Sequence, residues 1–144
     1  MEAMEISRSG LDVEWRRLQV IAENIANMGT TRTADGGTYR ARRLVSGPVE
    51  GFRQHLAAGR AGESLPARGV TVYDIAAITG ATRQTFDPAH PHANEEGFVT
   101  VPSISQAEEM SLMIKTTRSY EANLVALAAA QQMYSSALQI GRQS

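Results

Sequence analysis

The sequence predicts an α+β fold in which long N- and C-terminal helices pair in the manner of a coiled coil and flank a small β-rich middle region. Apolar residues recur at helical spacing near both ends, whereas the middle is rich in glycine, proline and short β-like runs. The predicted segments are an N-terminal core helix in residues 1–28, a β-rich middle region with a flexible loop in residues 29–104, and a C-terminal core helix in residues 105–144.

Composition excludes several kinds of binding and catalytic site. The 144 residues include 14 Lys and Arg against 15 Asp and Glu, a formal net charge of −1. This balance argues against a protein built to hold nucleic acid, because phosphate binding needs clustered positive charge. There is no cysteine, which excludes disulfides, zinc–thiolate sites, iron–sulfur clusters and thiol nucleophiles.

The N-terminal helix is predicted over residues 4–27. Every seventh position carries an apolar residue, which puts one row along one side of the helix. These positions are Met4, Leu11, Leu18 and Ile25. Gly10 weakens the helix by about 1 kcal/mol relative to alanine.

The C-terminal helix is predicted over residues 105–140, starting at the capping box of Ser105 and Glu108. Residues spaced alternately by four and three form its predicted contact row: Met113, Thr117, Tyr120, Leu124, Leu127, Gln131, Tyr134 and Leu138. An unbroken helix of this length spans about 54 Å. It would extend beyond any core that the remaining residues can build, so we expect it to need partners along its length, in the same chain or in other subunits.

Four strands are predicted in the middle region, at residues 38–45, 70–77, 83–86 and 98–101. Turn residues separate them: Asp35-Gly36-Gly37, Ser46-Gly47-Pro48, Asp87-Pro88 and Glu96-Gly97. Residues 57–69 contain three glycines and a proline and are predicted to be a flexible loop.

Neither a membrane span nor a cleaved leader is expected. The longest purely apolar run, residues 124–130, is far short of the ~20 residues that a span needs. The N-terminus is acidic and lacks the basic and apolar regions of a secretory signal peptide.

The sequence contains only weak candidates for a metal site or a catalytic site. His90 and His92 could ligate a metal, but the two prolines around them and the missing third ligand favour an exposed loop. Glu108 and Glu109 are adjacent and would diverge by about 100° on a helix, so a solvated face or a cap is favoured over a paired-carboxylate site. We expect no catalytic residue, no cofactor and no metal.

Asn24 and Asn27 lie near the end of the first helix and have two interpretations. Asparagine tolerates helix ends and left-handed backbone geometry, which is the favoured account from spacing alone. The alternative is that their side chains form hydrogen bonds across a subunit contact.

Motifs at both ends resemble those of the bacterial flagellar rod and hook axial proteins. The N-terminal motif consists of Ser9-Gly10-Leu11 and residues 18–27, LQVIAENIAN. The C-terminal motif consists of Glu108-Glu109-Met110 and residues 118–124, RSYEANL. Two further segments, residues 35–41 and 87–99, resemble the proximal rod members of that family. The resemblance covers nearly the whole chain except residues 49–68, and the first helix is more crowded with charged residues than is common in the family.

The resemblance implies a structural subunit without a catalytic site, which passes torque from the membrane ring to the distal rod and hook. It implies terminal helices that pair in the rod core, export by the flagellar type III apparatus without a cleaved leader, and folding on assembly. The implied partners are other proximal and distal rod proteins, further copies of the chain, and proteins at the junction of the membrane ring and export gate.

The residues expected at helix packing and assembly contacts are Leu11, Leu18, Asn24, Ile25, Asn27, Tyr120, Asn123, Leu124 and Leu127. Leu11, Leu18 and Ile25 are expected to pack with Tyr120, Leu124 and Leu127. An adaptor or chaperone of the same export system is the alternative function, because long helices could serve it too.

Overall fold

The computed structural model describes residues 2–49, 59 and 68–142. Its elements run in the order α1 (Glu2–Ala26), β1 (Arg42–Pro48), β2 (Val70–Ala77), β3 (Thr82–Phe86), β4 (Phe98–Pro102) and α2 (Gln106–Gly141). Two long terminal helices thus flank a small region of antiparallel strands, which confirms the predicted α+β fold class. Most of the predicted flexible loop, residues 57, 58 and 60–67, lies outside the described residues.

Both helices begin and end within two residues of the predicted limits. The Ser105 hydroxyl accepts a hydrogen bond from Glu108 N over 3.4 Å, so the N-terminal half of the predicted capping box is present. At the end of α1, both the backbone N and the side-chain Nδ2 of Asn27 donate to Glu23 O, at 3.0 and 2.9 Å. These local bonds satisfy groups that the helix termini would otherwise leave without partners.

The first strand begins four residues later than predicted, and the turn predicted at residues 46–48 is wrong. Those residues belong to β1, which pairs with β2. The pairing continues past them, since Val49 N donates to Gly69 O over 3.1 Å and the Tyr73 hydroxyl donates to Pro48 O. At the other end Ile78 N donates to Ala41 O over 2.8 Å. Pairing with β2 therefore overrides the local turn preference of Ser-Gly-Pro.

Strands β3 and β4 form an antiparallel hairpin in a second two-stranded sheet. Thr82 pairs with Pro102 at one end, and Phe86 pairs with Phe98 at the other. The two rings meet edge to face, with centroids 5.3 Å apart. Residues 87–97 connect the strands through successive turns, as their Asp-Pro and Glu-Gly sequences predicted.

The chain divides into two compact units. Unit 1 comprises Met1–Arg16, Val45–Asp74 and Thr116–Ser144, and unit 2 comprises Arg17–Leu44 and Ile75–Lys115. In unit 2 the buried apolar residues are Val20, Ile21, Ala41, Ala81 and Val99. In unit 1 the buried positions of α1 are Ser7, Gly10 and Val13. The predicted division into residues 1–28, 29–104 and 105–144 stays a prediction.

The most buried row of α1 is not the seven-residue row. Its members are Ser7, Gly10, Val13, Val20, Ile21 and Asn24. At 100° per residue, this row lies about 100° around the helix from the one formed by Met4, Leu11, Leu18 and Ile25. The residues of the seven-residue row are all partly exposed. The buried row mixes small and polar residues with valines, so apolar spacing alone could not identify it.

No helix among the described residues is long and apolar enough to cross a membrane.

Gly69 directly precedes β2 and lies against α1 within unit 1. We expect Gly69→Ala to destabilise the protein by about 1–3 kcal/mol. Its φ of +88° strains any residue with a Cβ, and that Cβ would overlap Ser9 Oγ and lie 3.4 Å from Ile6 Cα. Urea unfolding of the full chain, followed by circular dichroism, measures the loss.

Gly80→Ala is the matched control. Gly80 has a φ of +72° but nothing lies within 4 Å of the added Cβ, so this variant has the backbone strain without the overlap. Equal losses for the two variants would contradict the close contact between Gly69 and Ser9.

Candidate assembly site

A network of polar side chains forms the centre of unit 2 around Asn24. The side chain of Asn24 is fully buried, with 0% of its surface exposed. Its Nδ2 donates to Arg42 O over 2.9 Å and to Glu109 Oε2 over 3.2 Å. Its Oδ1 accepts from Arg42 N and from the Tyr39 hydroxyl, each over 3.0 Å. Both donors and both acceptor positions of the amide are therefore used.

Glu109 is the acidic centre of this network. Its surface is 2% exposed, although it belongs to the first turn of α2. One carboxylate oxygen accepts from Asn24 Nδ2 and the other accepts from Arg43 Nη2. The position near the N-terminus of α2 favours a negative charge, because the helix dipole is positive there. An ion pair, a neutral donor and a helix terminus together offset the cost of burying the carboxylate.

Of the two favoured interpretations of Glu108 and Glu109, a solvated face or a cap, the solvated face is wrong for Glu109, which is buried. The sequence contained a signal for this position. Glu109 lies four residues before Met113, and at 100° per residue it falls in the same arc as Met113, Tyr120 and Leu127. An acidic residue in a row made mainly of apolar residues is expected to have a partner where the row is buried. Tyr39 and Arg43, which complete the network, could not be found this way because neither lies on a helix.

Asn24 acts as a connector between segments rather than as a helix end. It links α1 to the segment that enters β1 and to the start of α2, through partners 15, 18 and 85 residues away in the chain. None of the described non-glycine residues has a positive φ, so left-handed geometry is not the reason for either asparagine. Asn27, in contrast, makes the local bonds that the helix-end account predicts.

A second ion pair is exposed. Arg42 Nη2 bonds Glu23 Oε2, and the two side chains are 43% and 46% exposed. Such a pair contributes at most about 1 kcal/mol to stability.

In unit 1 the two helices approach closely at Gly10. A Cβ on Gly10 would lie 2.7 Å from Asn123 Oδ1, so only a glycine leaves room for the Asn123 side chain as placed. Asn123 Nδ2 donates to Ser119 O over 3.0 Å, which holds that side chain along α2. The rings of Trp15 on α1 and Tyr120 on α2 also lie close to each other, with centroids 6.5 Å apart.

The predicted assembly residues divide by exposure. Asn24 is buried, and Leu124 is 50% exposed. The others are partly exposed: Leu11, Leu18, Ile25, Asn27, Tyr120, Asn123 and Leu127. The structure brings Tyr120 beside Trp15 and Asn123 beside Gly10. The expected packing of Leu11, Leu18 and Ile25 with Tyr120, Leu124 and Leu127 stays a prediction.

Much of the apolar surface of α2 is exposed. Every residue from 131 to 142 is exposed, so these last turns have no buried face. The exposed large apolar side chains of α2 are Met110, Ile114, Leu124, Val125, Met133, Tyr134, Leu138 and Ile140. At 100° per residue these side chains lie all around the helix, so neighbours on more than one side would be needed to cover them.

The two histidines have ordinary partners. His90 Nδ1 accepts from His92 N over 3.0 Å, and His92 Nδ1 bonds the Thr31 hydroxyl over 2.8 Å. Within the part of the chain that the structure describes, no three His, Cys, Asp or Glu side chains are grouped to hold a metal ion.

Comparison with known proteins gives consistent matches along the chain. The family model described as "Flagellar basal body rod FlgEFG protein C-terminal" matches residues 95–140. The flagellar basal-body rod protein FlgC of Bacillus subtilis (strain 168) is 34% identical over 146 residues, covering 97% of both chains. That of Borreliella burgdorferi is 33% identical over 149 residues, covering 96% of this chain and 95% of the relative.

The FlgC of Aquifex aeolicus is 33% identical over 132 residues, covering 92% of this chain and 90% of its own length. Identity above 30% over nearly the full length of these relatives shows the family. The chain belongs to the FlgC family of flagellar basal-body rod proteins.

Proposed function

We propose that this protein is a structural subunit of the proximal rod of the flagellar basal body. The observation that carries the proposal is the exposed apolar surface of α2, in a chain whose relatives are named as basal-body rod proteins. That surface has the extent expected of a subunit that packs its C-terminal helix against neighbours. The family consists of structural proteins, and no catalytic role is proposed.

In this proposal the rod passes torque from the membrane ring to the distal rod and hook. A subunit that transmits torque must resist sliding of its own helices. The Asn24–Glu109 bond opposes such sliding in unit 2, because a shift of one helix along the other would leave a buried amide and a buried carboxylate without partners. The close fit of Gly10 and Asn123 opposes it in unit 1.

The proposed contacts with neighbouring subunits use the helix faces that the chain leaves partly exposed. On α1 these are Leu11, Leu18 and Ile25, with Asn27 at the helix end. On α2 they are Tyr120, Asn123, Leu124 and Leu127. The proposed partners are further copies of the chain, other proximal and distal rod proteins, and proteins at the junction of the membrane ring and export gate.

Export is proposed to occur through the flagellar type III apparatus without cleavage of a leader, with the terminal helices completing their order on assembly. The last turns of α2 support this, because a helix without a packed face is marginally stable in water.

Deletion of the gene tests the proposal directly. Electron microscopy of purified basal bodies should show rings without a rod or hook, and the cells should be non-motile. Complete hooks with normal swimming would contradict it. Rods of normal form with reduced export of other subunits would favour the adaptor function instead.

Leu124→Asp should abolish rod assembly while leaving export of the chain nearly unchanged. An unpaired charge buried between subunits costs several kcal/mol, whereas an unfolded export substrate does not bury it. Secreted protein in the medium and rods counted by electron microscopy measure the two effects separately.

Ala126→Asp is the control for that variant, because Ala126 is also exposed and lies about 160° around α2 from Leu124. Rods of normal number in cells with Leu124→Asp would exclude Leu124 from the proposed contact.

Glu109→Gln should lower the free energy of unfolding by about 1–3 kcal/mol, because the ion pair with Arg43 is lost and an amide donor can face the Asn24 donor. The exposed pair supplies the matched control, and Glu23→Gln should cost less than about 1 kcal/mol. Urea unfolding of the full chain measures both. A larger loss from Glu23→Gln would show that the buried network is not the stronger constraint.

A further inference from the structure

A polar groove in unit 2 lies apart from the helix faces discussed above. It has a volume of about 340 Å³ and is lined by residues of the turn after α1, of the β3–β4 connection and of β4. The lining residues are Thr31, Arg32, Gly36, Thr38, Pro91, His92, Ala93, Asn94, Phe98 and Thr100. One arginine is among them and no acidic residue is, in a chain whose net charge is −1.

Hydrogen bonds hold the two walls of the groove together. The Thr31 hydroxyl bonds His92 Nδ1 over 2.8 Å. The single proton of the Thr38 hydroxyl is shared between Thr31 O and Thr100 O, which lie 3.1 and 3.2 Å from Oγ1. The segment that carries Arg32 is closed by Tyr39 N, which donates to Thr30 O over 3.2 Å. The groove is therefore built before any ligand arrives.

Three lining residues carry donor groups that have no partner among the described residues. The Arg32 guanidinium is one. The second is Asn94 Nδ2, since Asn94 Oδ1 already accepts from Glu96 N and Phe98 N over 3.1 and 2.7 Å. The third is His92 Nε2, which carries the ring proton when the Thr31 hydroxyl donates to Nδ1.

We propose that this groove binds the carboxylate of an aspartate or glutamate side chain on a neighbouring subunit of the rod. The three donors include one permanently charged guanidinium, and the described lining residues include no carboxylate, so the groove favours an anion. A planar guanidinium matches the geometry of a carboxylate. The volume is at the lower end of the ~300–1,000 Å³ range of small-ligand sites, which suits one acidic side chain and its flanking backbone. The neighbouring subunit as the source rests on the proposed function.

A titration of the full-length ¹⁵N-labelled chain with two isosteric probes tests the binding chemistry. N-acetyl-aspartate N-methylamide should shift the amide signals of Thr31, Asn94 and Thr100, and N-acetyl-asparagine N-methylamide should not. Arg32→Gln should weaken binding of the aspartate probe about tenfold or more, since it removes the one permanent charge among the described lining residues. Arg40→Gln, an exposed arginine outside the groove, should leave the affinity unchanged. Equal shifts from both probes, or none from either, would overturn the proposal.

The source of the carboxylate is tested in cells and with a second anion. Cells with Arg32→Gln should assemble fewer rods than cells with Arg40→Gln. Two results together would overturn the subunit contact: inorganic phosphate binds more tightly than the aspartate probe, and Arg32→Gln cells have normal rods. The groove would then be a site for a small anion. If the deletion strain lacks rods but Arg32→Gln cells have normal rods, only the proposal for the groove is refuted. Complete rods in the deletion strain would refute the proposed function itself.

Discussion

The hydrogen bond from Asn24 to Glu109 is the constraint on which unit 2 depends. It joins the end of α1 to the start of α2 across 85 residues of chain, and both side chains are buried. Buried polar groups contribute little net free energy when satisfied, but leaving them unsatisfied is costly. Their value is therefore in specifying one register of the helices, as a buried asparagine does in a coiled coil.

Sequence reasoning located the helices and strand β2 because their patterns are local. The capping residues Ser105 and Glu108 mark the start of α2, and residues 70–77 form β2 as predicted. It misplaced β1 because the pairing of residues 46–48 with β2 depends on a distant strand. The helical position of Glu109 did point inward, but its partners Asn24 and Arg43 become neighbours only in the folded chain and could not be predicted.

The two sides of α1 have different roles: one packs within the chain, and the other is proposed to contact neighbouring subunits. Small and polar residues, such as Ser7, Gly10 and Asn24, lie on the buried row and permit close approach. The apolar residues at every seventh position, Met4, Leu11, Leu18 and Ile25, lie beside that row and stay partly exposed. A seven-residue apolar repeat normally marks the contact between two helices. In the proposed rod, the partner of this repeat belongs to another subunit.

The exposed end of α2 affects when the chain becomes fully ordered. Residues 131–142 are all exposed, so burial within a free copy offsets little of the entropy lost on fixing their backbone. Such a helix end frays and exchanges its amide hydrogens quickly, whereas packing against neighbours protects them. In the proposed rod, the final ordering step would then take place at the growing tip, where neighbours are present, and the free pool would lack a rigid template for premature polymerisation.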